Sequence, residues 1–266
     1  MKTLTTILIA FALYASASAQ SSQIVPIIEL SVGGIIGGVQ NGKWVKDKQV
    51  AATLKGQDEY LLIGWKGVEE GGVTLGGKPA TEIPCEEFYH VDLEMKMDSG
   101  VALGSSAKWN PVPRVPAEIL LTDATYINVV SDFLRSKGIA KPTVKIKQAY
   151  RVDLDGDGTD EVILAATYFK SGNVSPSAAV GDYSFVLLRK IVGGKAQNIM
   201  LGGEFFKKAI KFGAPNEYGI SSIADLNGDG NMEIVMRSRY YEGNASSVYE
   251  IKGAKATEVL STGCGV

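Results

Sequence analysis

Two acidic loops constrain this chain more than any other feature, because each runs directly into an apolar stretch. They are Asp153-Leu154-Asp155-Gly156-Asp157-Gly158-Thr159-Asp160-Glu161 and Asp225-Leu226-Asn227-Gly228-Asp229-Gly230-Asn231-Met232-Glu233. Oxygen-bearing side chains fall at loop positions 1, 3, 5 and 9, with glycine at 4 and 6. Four carboxylates at such spacing repel one another, and a cation among them is the simplest neutralisation. Gly158 and Gly230 free the backbone to turn, so the side chains before the turn and the acid after it can converge.

Calcium fits this donor set best. It accepts many carboxylate and carbonyl oxygens in a flexible shell, whereas zinc prefers Cys and His and magnesium keeps its waters. The expected ligands are Asp153, Asp155, Asp157 and Glu161 in the first loop and Asp225, Asn227, Asp229 and Glu233 in the second. The backbone carbonyls of Thr159 and Asn231 supply the seventh position in each. Because Asn227 replaces an acid, the first loop carries more ligand charge and is expected to bind calcium more tightly. An EF-hand is excluded: position 12 holds Leu164 or Met236 rather than a bidentate acid, and no helix pattern follows. Val162-Ile163-Leu164-Ala165-Ala166 and Ile234-Val235-Met236 read instead as buried strands. A metal-free Asp/Asn/Gly turn shares the composition but has no use for acids at alternating positions.

These residues resemble the FG-GAP/VCBS repeat family, whose core is an Asp-x-Asp/Asn-Gly-Asp-Gly-x-x-Asp/Glu calcium loop entering a strand of a propeller-like sheet. Residues 153 to 164 and 225 to 236 match that core, and Phe212-Gly213 sits where the family places its Phe-Gly pair. The Gly-Ala-Pro positions hold Ala165-Ala166-Thr167 and Arg237-Ser238-Arg239. The resemblance implies mainly structural ions and an extracellular adhesion or ligand-binding role. The loops lie 72 residues apart (225 minus 153), which leaves too little chain for the family's six or seven blades.

The internal similarity extends past the loops. Tyr168-Phe169 and Tyr240-Tyr241 each fall fifteen residues after the first Asp, and Gly172-Asn173 and Gly243-Asn244 follow them. Two copies of one β unit over roughly 145 to 266 are expected, stacked because such a unit cannot bury a face alone. Asn173-Val174-Ser175 and Asn244-Ala245-Ser246 are glycosylation sequons, of use only in a eukaryotic host.

Residues 1 to 19 read as a secretory signal: Lys2 supplies charge, Leu4 to Tyr14 the apolar run, and Ala17-Ser18-Ala19 the cleavage site before Gln20. That run is too short to span a bilayer, and no later stretch is long and uncharged enough. The 27 Lys and Arg residues less Lys2, against 29 acidic ones, leave a formal charge of −3 and no nucleic-acid footprint. Cys85 and Cys264 are the only cysteines, and export favours a disulfide between them; two free thiols are the alternative.

Residues 20 to 110 form a glycine-rich region read as strands at Ile24 to Leu30, Tyr60 to Trp65 and Phe88 to Leu93. Turns are expected at Gly33-Gly34, Gly37-Gly38, Gly71-Gly72 and Gly76-Gly77. Pro111, Pro113 and Pro116 predict an extended connector. A helix follows, with Tyr126, Val129, Val130, Phe133 and Leu134 on one face, Thr122 or Asp123 as cap and Gly138-Ile139 as stop. A weaker helical pattern covers Gly203 to Lys211. The residues from 117 to 266 thus hold the helix and both calcium-loop repeats, in one compact unit with residues 20 to 110. Lys145 and Lys147 alternate with Val144 and Ile146 and read as the wet face of a strand.

No catalytic residue is assigned. His90, the only histidine, sits in a strand pattern; no His-Glu-x-x-His occurs, Gly219-Ile220-Ser221-Ser222-Ile223 lacks a closing glycine, and Gly33 to Gly38 is followed by no helix. Glu69-Glu70 and Glu86-Glu87 read as solvated surface. The fold class expected is mainly β with one packed helix, built of stacked antiparallel repeat units resembling propeller blades. The expected function is a secreted, two-calcium binding or adhesion module for an extracellular glycan or protein. The alternative is a calcium-stabilised secreted hydrolase of polysaccharide or peptide.

Overall fold

A computed structural model describes residues 23 to 265, so the expected signal segment lies outside the described residues. The chain is mainly β, and among the described residues every sheet is antiparallel and none is closed into a barrel or propeller. In the N-terminal region the strands are β1 (Val25–Glu29), β2 (Ile35–Gln40), β3 (Lys43–Val45), β4 (Asp58–Gly64), β5 (Gly67–Gly76), β6 (Ala80–Glu82), β7 (Cys85–His90) and β8 (Val101–Gly104). Six of them form one sheet in the order β3-β2-β1-β8-β4-β5, while β6 and β7 make a separate ribbon. Next come β9 (Ala117–Glu118), β10 (Ile146–Val152), β11 (Glu161–Tyr168), β12 (Tyr183–Val192) and β13 (Lys195–Phe205), a sheet ordered β13-β12-β11-β10-β9. Finally β14 (Glu217–Ala224), β15 (Glu233–Tyr240), β16 (Gly243–Lys252) and β17 (Lys255–Gly265) make a four-stranded meander. Each acidic loop joins the first and second strands of such a meander, β10 to β11 and β14 to β15.

The apolar run after the first loop has period two on both faces. Ile163 and Ala165 of β11 enter a core drawn from all three large sheets, together with Ile27, Ile36, Val186, Leu188, Ile223 and Val248. Val162, Leu164 and Ala166 point the other way, against a helix, α2 (Ala124–Ser136), that contributes Val130, Phe133 and Leu134. A strand covered on both faces has no place for polar residues, hence the unbroken run. α2 ends as expected: the Asp123 side chain caps it by accepting from Thr125 N–H at 2.8 Å. Ile139 N–H donates back to the Leu134 carbonyl beyond Gly138, whose φ is +92°.

Several expectations need correction. Gly37-Gly38 lies inside β2 rather than at a turn. A Cβ on Gly37 would come within 2.7 Å of Leu260 in β17, so the glycine admits close sheet packing. Gly71-Gly72 likewise falls within β5, while Gly33-Gly34 and Gly76-Gly77 do mark strand ends. Residues 203 to 205 continue β13 instead of starting a helix, because they pair with Tyr183 to Phe185 of β12. A short helix, α1 (Asp47–Ala51), was not expected; it buries Val50 against the outer face of the first sheet. The strand expected from Phe88 to Leu93 is shifted, ending at His90. Cys85 and Cys264 form a disulfide with Cα atoms 5.6 Å apart, tying β7 to β17 across 179 residues.

Candidate metal centre

Both loops fold by the same local logic. Their glycines at positions 4 and 6 all have positive φ, between +73° and +88°. These turns aim backbone N–H groups inward at the position-1 carboxylate. Asp153 accepts from Gly156 (2.8 Å), Asp157 (3.1 Å) and Gly158 (3.0 Å); Asp225 accepts from Gly228 (2.7 Å) and Gly230 (2.9 Å). The position-9 acids fold back in the same way: Glu161 accepts from Leu154 N–H and Glu233 from Leu226 N–H, each at 2.8 Å. Asp157 and Asp229 close the turn on the N–H of Thr159 (2.7 Å) and Asn231 (2.8 Å).

The two loops differ in charge and depth. Asp153, Asp155 and Glu161 bring carboxylate oxygens within 4.8 Å of one another, and this acidic cluster can hold a metal ion. Asp157 stands outside that group and is exposed, as is Thr159. Lys190 of β12 reaches into the cluster, its Nζ donating to Asp155 Oδ2 at 2.7 Å and Glu161 Oε1 at 2.6 Å. The Lys190 side chain is 5 % exposed and that of Glu161 1 %. Burial raises Glu161 above the ordinary glutamate range, with the Lys190 ammonium opposing the shift. For Asp153, burial works upward but the inward N–H groups and Arg114 prevail and hold the carboxyl low.

In the second loop Asp225, Asn227 and Glu233 are all buried, whereas Asp229 is exposed. The Asn227 amide nitrogen lies 3.4 Å from both Asp229 and Glu233, and its oxygen accepts from Asp229 N–H at 2.9 Å. Burial pushes Glu233 up to about 9, and the charges of Asp225, Asp229 and Glu250 add to the shift against the Leu226 N–H. Burial also raises Asp225. Among the described residues the group of three carboxylates whose oxygens lie within 4.8 Å of one another is Asp153, Asp155 and Glu161; Asp225, Asp229 and Glu233 are not gathered in that way.

Sequence reasoning missed the groups that hold the loops side by side. The proline-rich connector is no free linker. Trp109 donates its indole N–H to the Asp225 carbonyl at 2.8 Å, and its ring would lie within 2.9 Å of a Cβ on Gly228. The Pro111 carbonyl accepts from Asp225 N–H at 2.8 Å. Arg114 spans both loops, donating to the carbonyls of Asp153, Leu154 (2.9 Å) and Gly230 (2.7 Å). Met232 N–H adds a direct bond to the Leu154 carbonyl at 2.8 Å. One signal for Lys190 was in the sequence. Val186 and Leu188 face the core, so period two places Lys190 on that same face, where a lysine needs an anionic partner.

Elsewhere an open cleft of about 690 Å³ is lined by Tyr168, Phe169, Tyr240 and Tyr241 from equivalent places in the two meanders, with Lys145, Lys147 and Arg239. Its one acid, Glu217, is engaged by Arg239 at 2.8 Å. His90 Nδ1 is buried without a hydrogen-bond partner, and its ring stacks on Phe88. Among the described residues no helix is long and apolar enough to cross a membrane. No protein-family model, curated protein or solved structure matches the chain.

Proposed function

We propose that this chain is an exported calcium-binding protein that serves as an extracellular binding or adhesion module, its ion locking an acidic loop between two neighbouring strands. The observation that carries the calcium reading is Glu233, 2 % exposed and surrounded by Asp225, Asp229 and Glu250. Buried carboxylates in such company stay ionised only with a cation to balance them. The disulfide and the absence of a membrane-crossing helix among the described residues are compatible with export. The likeness of the loops to FG-GAP/VCBS repeats belongs to the same proposal.

The aromatic and cationic cleft favours binding over hydrolysis. Glycoside hydrolysis uses two carboxyl groups flanking the scissile bond, whereas this cleft offers Lys145 and Lys147, the rings of Tyr168, Tyr240 and Tyr241, and a single acid already paired with Arg239. It suits a ligand with negative charge and a flat apolar face. Calorimetry of EDTA-treated protein, with and without calcium, tests the metal reading. Calcium at about a hundredfold over Kd should add about 2.7 kcal/mol, and identical melting in EDTA and calcium would sink it. A glycan and peptide array probed with wild type and Tyr241→Ala tests the binding reading, which fails if nothing is retained while a hydrolase panel shows turnover.

A further inference from the structure

We propose that the Lys190 ammonium is a tethered cation occupying the first loop, so that the protein takes a single divalent ion, at the second loop. This rests on the calcium reading above and assigns the ion to one of the two loops. The geometry points to mutual exclusion. Nζ already sits 2.7 Å from Asp155 Oδ2 and 2.6 Å from Glu161 Oε1, the oxygens of positions 3 and 9. A calcium ion binds carboxylate oxygens at about 2.3–2.6 Å, so an ion on that pair would lie beside an ammonium in a site 1–5 % exposed at Glu161 and Lys190. Like charges that close, with little water between them, do not share two ligands.

Sheet register supplies the independent half of the argument. Arg189 pairs with Val162, which sets Lys190 opposite Glu161 at the exit of the first loop. Tyr249 pairs with Ile234 in the second meander, which sets Glu250 at the equivalent place opposite Glu233. The same structural position therefore carries a cation in one unit and an anion in the other. Counting that residue reverses the order read from the loops alone. The four expected ligand carboxylates of the first loop and Lys190 leave three negative charges, whereas the three expected in the second loop and Glu250 make four. Lys252 pairs with Glu250 at 2.8 Å, but its side chain is 75 % exposed and water screens it. The expectation that the first loop binds more tightly thus counted only charges within the loop itself.

Calcium titration of EDTA-stripped full chain by calorimetry decides the matter. Wild type should bind one ion, Asp229→Ala should abolish that event, and Lys190→Gln should bind two. Two ions in wild type, or a binding event that survives Asp229→Ala, would overturn the assignment while leaving the calcium reading intact. No binding at all would overturn both. Should Lys190→Gln fail to fold, the wild-type stoichiometry and Asp229→Ala still decide.

Discussion

Replacing Lys190 by alanine strips Glu161, 1 % exposed, and Asp155, 32 % exposed, of the ammonium they share. Removing one partner of a buried ion pair costs about 3–5 kcal/mol, because the other charge is left buried and uncompensated. Water screens Asp155, and the Leu154 N–H still supports Glu161, so the loss should lie near the low end, about 3 kcal/mol. For a chain of this length that lowers Tm by about 6–12 °C. The loss also depends on pH. Burial already raises Glu161 above its ordinary value of 4.5 against the pull of Lys190, and without Lys190 the shift grows. An acid with a raised folded pKa binds more protons folded than unfolded. Its stability contribution is therefore complete below the unfolded value and lost as pH rises through the folded one. The deficit of Lys190→Ala relative to wild type should be larger at about pH 8 than at about pH 5. Urea unfolding of EDTA-treated protein followed by circular dichroism at both pH values measures it. A deficit below about 1 kcal/mol would place the pair with screened surface bridges. Either that result or an equal deficit at the two pH values would refute the reasoning.

Further outcomes follow from the same geometry. With Glu233 pushed up to about 9 from 4.5, metal-free protein should lose stability as pH rises across that window, and calcium should flatten or reverse the trend; a pH-independent melt in EDTA would contradict it. Arg114→Ala removes a donor to three carbonyls on two loops and should cost about 2–3 kcal/mol in urea unfolding. Arg114→Lys should restore little, since one ammonium lacks the planar fork. Replacing Cys85 and Cys264 together by alanine frees a closure of 179 residues and should lower stability by up to about 5 kcal/mol, seen as a fall in Tm; an unchanged Tm would show that sheet packing alone fixes β17.

What was legible in the sequence was local. The glycines at loop positions 4 and 6 take positive φ as the turn chemistry demands, and Asp123 caps the helix whose apolar face Val130, Phe133 and Leu134 bury. The run Val162 to Ala166 forms a strand because β-branched and small apolar residues suit a surface packed on both sides. Failures came where a distant contact overrode local preference. Gly37 and Gly38 resemble a turn, but Gly37 serves close packing of β17 on β2 and Gly38 the close approach of Val25 and Val50, and residues 203 to 205 are held as strand by β12. A glycine pair has the same sequence signature in either role, so only the neighbour decides.

The sequence by itself determined the donor atoms: which residues present oxygens, in what order, and where the backbone can turn to gather them. Tertiary structure alone decided the charge that meets those donors. Lys190 and Glu250 arrive from the next strand by register, and Arg114 and Trp109 arrive from the connector. The physical reason is one of range. Turn geometry is set by dihedral preferences within a few residues, whereas the field at a buried carboxylate sums every charge within several ångströms, whatever its distance along the chain.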